Sequence, residues 1–200
     1  SYKSALFLMH RIRFAMAPDQ AAAPKLAGIV ECDETYVGGK PRKGTGPHKR
    51  GRGTKKTPVF AMVERGGGIR RRVVANVTGK TLKAAIKECV APTARIMTDE
   101  LSSYGGLGRD FAGHEVVAHS VGEYARGEAH TNTAESSFAI VKRGLVGVYH
   151  AVSKKHLHRY LAEYDFRWNA RRLNDGERTA LAIQAGVGKR LMYRAPARKS

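Results

Sequence analysis

The sequence predicts an α/β fold, a mixed five-stranded sheet flanked by helices with a C-terminal helical extension. Three observations carry that expectation. Short apolar runs of strand length alternate with stretches of helical periodicity. Two of the runs, residues 59–63 and 69–77, flank Arg65-Gly66-Gly67-Gly68, which reads as a hairpin with glycine supplying positive φ. A helical stretch then separates the hairpin from the next strand, so antiparallel pairing and a βαβ crossover share one sheet.

Taken in order, residues 1–17 form an amphipathic helical pattern, with Leu6, Met9 and Ile12 on one side and Lys3, His10 and Arg13 elsewhere. The first residue is Ser, and this stretch is expected to come from a longer chain. Ala21, Ala22, Ala23 and Pro24 read as a linker, and residues 26–37 as the first strand. Because strand side chains alternate, Val30 and Cys32 share an apolar face while Glu31, Asp33 and Thr35 share an acidic and polar one. Residues 38–57 hold Lys40, Arg42, Lys43, Lys49, Arg50, Arg52, Lys55 and Lys56, six glycines and no acid. Such a segment cannot pack as core.

After the hairpin, Leu82, Ala85, Ile86, Cys89 and Val90 recur at helical spacing, so residues 81–90 predict a helix packed on the sheet. Residues 95–98 are a short apolar strand ending at Asp99, residues 102–111 a weaker helix or loop, and residues 114–119 another brief strand. From Glu135 the spacing of Phe138, Val141, Leu145 and Tyr149 is helical, weakened by Gly144 and Gly147. A second long helix follows Ser153, with Leu157, Tyr160, Leu161, Tyr164 and Trp168 on one face and Lys155, Arg159, Glu163 and Arg167 on the other. Asn174-Asp175-Gly176 ends it, and a short helix around Leu181 and Ile183 precedes a basic tail. The expected division is residues 1–23 as a helical remnant and linker, 24–172 as the α/β domain, and 173–200 as short helix and tail.

Thirty-six Lys and Arg against seventeen Asp and Glu leave a net charge of +19 on 200 residues, which calls for an anionic partner. No run approaches the roughly 18 apolar residues of a membrane span and no signal-peptide pattern opens the chain, so it reads as a soluble, cytoplasmic chain away from membranes. Cys32 and Cys89 are too few for a disulfide framework or a four-ligand zinc site and read as buried thiols. The G-x-G patterns at residues 44–46 and 51–53 do not lead a strand into a helix, and there is no Walker A sequence.

In a chain short of acids, carboxylates placed on strands are informative. Asp33 lies mid-strand on the polar face, Asp99 ends an apolar strand where such sheets form ligand crevices, and Glu135 opens a helix beside its apolar stripe. Two strands and a helix start can bring three carboxylates to one point. In a phosphate-binding protein such a group needs neutralising by hard divalent cations with oxygen ligands, Mg²⁺ first and Mn²⁺ as substitute. Two ions roughly 3.5–4 Å apart activate a hydroxyl and stabilise the leaving oxygen in phosphoryl displacement. A strand Asp also serves commonly as cap, ion-pair partner or turn residue.

The stretch Asp33 to Gly39 (DETYVGG), the Thr98-Asp99 strand end, and residues 130–150 (HTNTAESSFAIVKRGLVGVYH) with the helix after them closely resemble bacterial insertion-sequence DDE transposases. The group is the ISXO2-like one, related to eukaryotic Merlin elements. The resemblance implies an RNase H-like fold with Asp33, Asp99 and Glu135 as catalytic metal ligands, and places Asn132 and His130 beside the site as second-line candidates. It implies cleavage of DNA at transposon ends, transfer of the 3′-OH to target DNA, double-stranded DNA as partner, and a homodimer or larger synaptic assembly. Ala134 and Ser136 stand where relatives often have Ile and Gly, and Phe138 where they often have Trp, which changes packing and leaves the acids intact. Relatives usually carry an N-terminal zinc ribbon and helix-turn-helix; residues 1–17 look like the last helix of that reader.

The basic loop has the composition of a DNA-backbone arm, and equally of a solvated insertion. Lys142 and Arg143, beyond Glu135 on the same predicted helix, either clamp the DNA strand or face solvent. His114, His119 and His130 read first as structural histidines, and Tyr160, Tyr164 and Trp168 as core rather than base-stacking residues. Two other functions stay open: a catalytically inactive DNA-binding module, and a metal-dependent nuclease without strand transfer.

Overall fold

The computed structural model describes residues 1–18, 23–39, 54–118, 120, 122 and 125–192. In chain order the elements are α1 (Tyr2–Met16), β1 (Ile29–Val37), β2 (Thr57–Glu64), β3 (Ile69–Val73), α2 (Gly79–Cys89), β4 (Arg95–Asp99), β5 (Gly113–Val117), α3 (Asn132–Gly147), α4 (Leu157–Asn169) and α5 (Asp175–Gln184). They belong to two compact units: Pro24–His158, and Ser1–Ala23 together with Arg159–Ser200.

The larger unit is the predicted mixed sheet, with strand order β3-β2-β1-β4-β5. Strands β1, β2 and β3 pair antiparallel in sequence, while β4 runs parallel to β1 and β5 parallel to β4. On one face Val30, Cys32, Phe60, Met62 and Ile96 meet Leu82, Ala85, Ile86 and Cys89 of α2 in a single buried cluster. The periodicity of α2 is therefore the periodicity of its contact with the sheet. Both thiols are buried and free, and burial pushes the Cys32 thiol far up. The opposite face carries Glu31, Asp33 and Arg71, and α3 lies against it, with Arg71 Nη2 donating to the Ser137 carbonyl at 3.1 Å.

Boundaries differ from the sequence expectation where backbone geometry intervenes. Gly28 adopts φ +62°, so Leu26 makes an isolated parallel bridge to Val90 and the first strand starts only at Ile29. Strand β3 stops at Val73, short of 77, because Asn76 turns the chain: its Oδ1 accepts from the Thr78 N–H at 3.3 Å and from Thr81 Oγ1 at 2.7 Å, preparing the start of α2. Residues 102–111 hold two single turns, Ser102–Tyr104 and Leu107–Arg109, with Gly106 at φ +83° between them.

In the smaller unit the face of α1 is inverted from the expected one. His10 and Arg13 are buried, while Met9 and Ile12 are 42% and 39% exposed. The reason is a buried charge pair: Arg13 Nε donates to Glu163 Oε2 at 2.8 Å, with the guanidinium 4.2 Å from the Tyr160 ring centroid and His10 edge-on to the same ring. Glu163, placed by the sequence on the face of the second long helix opposite its apolar stripe, is buried for the same reason. Helix α5 opens with a reciprocal capping box, Asn174 Oδ1 accepting from the Glu177 N–H and Glu177 from the Asn174 N–H, both at 2.9 Å. Among the described residues no helix is long and apolar enough to cross a membrane.

Candidate active site

The parallel register of β1 and β4 brings two of the predicted acids side by side. Ile29 pairs with Arg95 and Glu31 with Met97, and the same offset carries Asp33 level with Asp99. The hydrogen-bonded ladder stops two residues before that pair, so the carboxylates stand where the strands cease to be tied together. This is the strand-end crevice of an open parallel arrangement. Asp33 also faces Ala61 of β2, which faces Arg71 of β3, so a single row across the sheet holds the residue.

Asp33 is partly buried and accepts from the Glu34 N–H at 2.7 Å. Burial, then the neighbouring Glu34 charge, push its carboxyl up to about 7; the Glu34 N–H opposes them, and the charges of Asp99 and Glu135 add smaller rises. Asp99 Oδ1 accepts from the Leu101 N–H at 3.1 Å, which turns the chain out of β4. Glu135 is exposed in the first turn of α3, 3.4 Å from Thr131 Oγ1. Asp33 thus feels both other acids. Among the described residues, no group of three or more His, Cys, Asp and Glu side chains is arranged to hold a metal ion.

Mg²⁺ seldom takes an all-protein cage and keeps waters while using one or two carboxylates and phosphate oxygens. Three carboxylates, one of them raised chiefly by burial and the Glu34 charge and further by the other two, fit a divalent cation by charge and by donor type.

Asn132 is exposed at the first position of α3, and His130 is partly buried just before it. Lys55, Lys142 and Arg143 are exposed and Lys56 is partly so. Lys40, Arg42, Lys43, Lys49, Arg50, Arg52 and His119 lie outside the described residues. His114 is structural in its contacts: Nε2 lies 2.9 Å from Thr98 Oγ1, and burial with the Lys83 charge lowers its pKa. Tyr160 is buried, in keeping with a core role. Ala134 and Phe138, the two packing changes, are buried while Ser136 is exposed.

Sequence reasoning missed the group that holds α3. Glu31, fully buried on the same strand face as Asp33, accepts from the backbone N–H groups of Thr133 at 2.8 Å and Ala134 at 3.0 Å. The period-two pattern already put Glu31 beside Asp33; its partner on a helix a hundred residues away left no local signal.

Strand order β3-β2-β1-β4-β5, with one antiparallel meander, two parallel additions, an acid in the middle of β1 and an acid at the end of β4, is the arrangement of RNase H-like α/β domains. The chain belongs to the ISXO2-like transposase domain family, whose model matches residues 25–169. It is also 34% identical over 168 residues to an uncharacterized protein in transposable element ISH50 of Halobacterium salinarum, covering 78% of this chain and 56% of that protein. The chain therefore spans little more than half the length of this relative.

Proposed function

We propose that this chain is the catalytic domain of a DNA transposase, cutting DNA phosphodiesters at transposon ends and joining the freed 3′-OH to target DNA. The observation that carries the reading is Asp33 level with Asp99 on adjacent parallel strands, its carboxyl raised by burial and the Glu34 charge first, with Asp99 and Glu135 adding to the rise.

Asp33, Asp99 and Glu135 would hold two divalent cations, Mg²⁺ or Mn²⁺. When bound, these supply Lewis-acid activation of the attacking oxygen and charge stabilisation at the leaving one. The chain's own residues do the rest. Asp33, rigid in the sheet and partly buried, fixes the reaction centre relative to the strands. Asp99, turned by its bond to Leu101, fixes it relative to the loop that follows β4. Glu135, exposed on the first turn of α3, faces the incoming strand and orients the attacking water, with Asn132 one turn earlier in reserve. Lys55, Lys56, Lys142 and Arg143 offer cations to the DNA backbone, together with the basic residues 40–52. Bringing two DNA ends together calls for a homodimer or larger assembly on DNA, in the cytoplasm at the nucleoid.

The test is a supercoiled-plasmid assay with the chain in Mg²⁺, in Mn²⁺ and in EDTA. Metal-dependent nicking and joined product, both abolished by Asp33→Asn, Asp99→Asn or Glu135→Gln with DNA binding retained, support the reading. Nicking without joined product indicates a nuclease, and shifted DNA without cutting in any metal indicates a binding module; either outcome overturns it.

A further inference from the structure

We infer that Glu31 is a positioning residue for Glu135, a buried carboxylate on β1 that clamps the first turn of α3. The inference rests on the role proposed above for Glu135 and concerns how the fold holds that residue in place.

A helix start leaves its first N–H groups without intrahelical partners. The N-cap residue of α3, Thr131, makes no side-chain capping bond. The cap comes instead from the sheet. Glu31 Oε2 accepts from the Thr133 and Ala134 N–H groups at 2.8 and 3.0 Å, and Oε1 accepts from Thr133 Oγ1 at 2.9 Å and Arg65 Nε at 2.6 Å. Arg65 then reaches past the helix, its Nη2 donating to the His130 carbonyl at 3.0 Å, and His130 Nδ1 lies 3.2 Å from Glu31 Oε1. Residues on both sides of the helix start are thereby tied to one carboxylate.

Glu31 is 0% exposed. A charge buried this completely costs desolvation, and an apolar side chain of similar size would fill the space more cheaply. The aligned N–H groups of the helix start and the Arg65 guanidinium offset that cost, and the return is a fixed position for the turn that carries Glu135. The residue after the clamped pair is Glu135 itself, whose N–H bonds to the Thr131 carbonyl at 3.0 Å. Glu31 and Asp33 sit two residues apart on one strand face, roughly 6–7 Å along it. One strand therefore carries a candidate ligand and the anchor of another, and any slip of the α3 start changes the separation of Asp33 from Glu135.

The experiment compares Glu31→Gln, Thr133→Val and Glu135→Gln with the unsubstituted chain. Glu31→Gln presents an amide donor where four donors converge, whereas Thr133→Val removes only the Oγ1 bond and carries the test if the first variant fails to fold. Plasmid-nicking rates at saturating DNA should fall about 10–100-fold for Glu31→Gln and several-fold for Thr133→Val, as for groups that orient metal ligands. DNA affinity in EDTA should stay within about twofold, since no backbone-contacting cation has changed. Two further readouts separate positioning from bulk stability: the rise in Tm on adding MnCl₂ should shrink in both variants, and amide exchange at residues 133 and 134 should accelerate. If Glu135→Gln is inactive while both other variants cut at the unsubstituted rate with an undiminished Mn²⁺ response, the role of Glu31 is overturned and the function stands. If Glu135→Gln itself cuts normally, the reading of Glu135 falls and the role of Glu31 falls with it.

Discussion

Asp33 stands level with Asp99 across two parallel strands whose hydrogen bonds end at Glu31 and Met97. The pair is unfavourable without counter-charge. The charge on Asp33 costs more still through burial and the neighbouring Glu34, and together these effects are readable in pH, because the Asp33 carboxyl is raised from 3.8 to about 7 in the folded chain. Between those values the folded protein holds a proton that the unfolded chain has lost, so this group's contribution is fully present at low pH and is lost as pH rises through about 7.

Asp33→Asn should therefore stabilise the metal-free protein at about pH 8, by about 1–3 kcal/mol after allowing for relaxation and residual solvent. Near pH 3 the advantage should vanish, because the carboxyl is then protonated in the folded state and largely so in the unfolded one. Melting curves in EDTA at both pH values check this. An equal Tm difference at the two would mean that charge at this position is not what costs stability. Added Mg²⁺ or Mn²⁺ should raise the Tm of the unsubstituted chain and do much less for the variant.

His114 titrates in the opposite sense. Burial and the Lys83 charge lower its pKa from 6.5, so protonation favours the unfolded chain. Its contribution is fully present above about 6.5 and is lost as pH falls through the lowered value. His114→Gln should flatten the loss of stability seen below about pH 6.5. Taking difference curves for the Asp33 and His114 variants separately keeps the two effects apart.

Much of the fold was legible because it is periodic. Period two separated Val30 and Cys32 from Glu31 and Asp33, and the 3.6 period of Leu82, Ala85, Ile86 and Cys89 marked the face that packs on the sheet. The positions of Asp33 and Asp99 were legible as acids on strands. What stayed hidden depends on partners far away in sequence. Arg13 and Glu163 fell off the apolar faces of their helices because each is polar, and only their contact makes both burial-compatible. Glu31 read as one more polar-face residue, since its donors lie on α3. The start of β1 was misplaced because positive φ at Gly28 is a tertiary choice that glycine merely permits.

The Arg13–Glu163 pair makes its own prediction. The two side chains are 4% and 6% exposed, and Arg167 adds a second bond to Glu163 at 2.7 Å. Glu163→Ala would leave the Arg13 guanidinium buried without its carboxylate, at a cost of about 3–5 kcal/mol to the packing of α1 on α4. Hydrogen exchange along α1 should accelerate strongly. Replacing both partners by Met should recover most of the protection, because it removes the desolvation penalty along with the attraction. If the double variant is as damaged as the single one, apolar packing rather than charge compensation governs this contact.

DNA binding gives a test in which two adjacent cations behave differently. Glu135 and Lys142 are seven residues apart on α3, close to two full helical turns, so they lie on nearly the same side about 10 Å apart along the axis. Arg143 is turned about 100° further round the helix. Both cations are exposed. A DNA strand held at the Asp33–Asp99–Glu135 crevice would run past Lys142 first. In fluorescence titrations across a salt series in EDTA, Lys142→Ala should weaken binding and lower the slope of log affinity against log salt by about 0.9, one phosphate contact's worth, while Arg143→Ala changes it less. Binding that ignores Lys142 but responds to Arg143 would place the DNA on the other flank of α3, away from the carboxylates, and would separate the basic surface from the chemistry proposed for it.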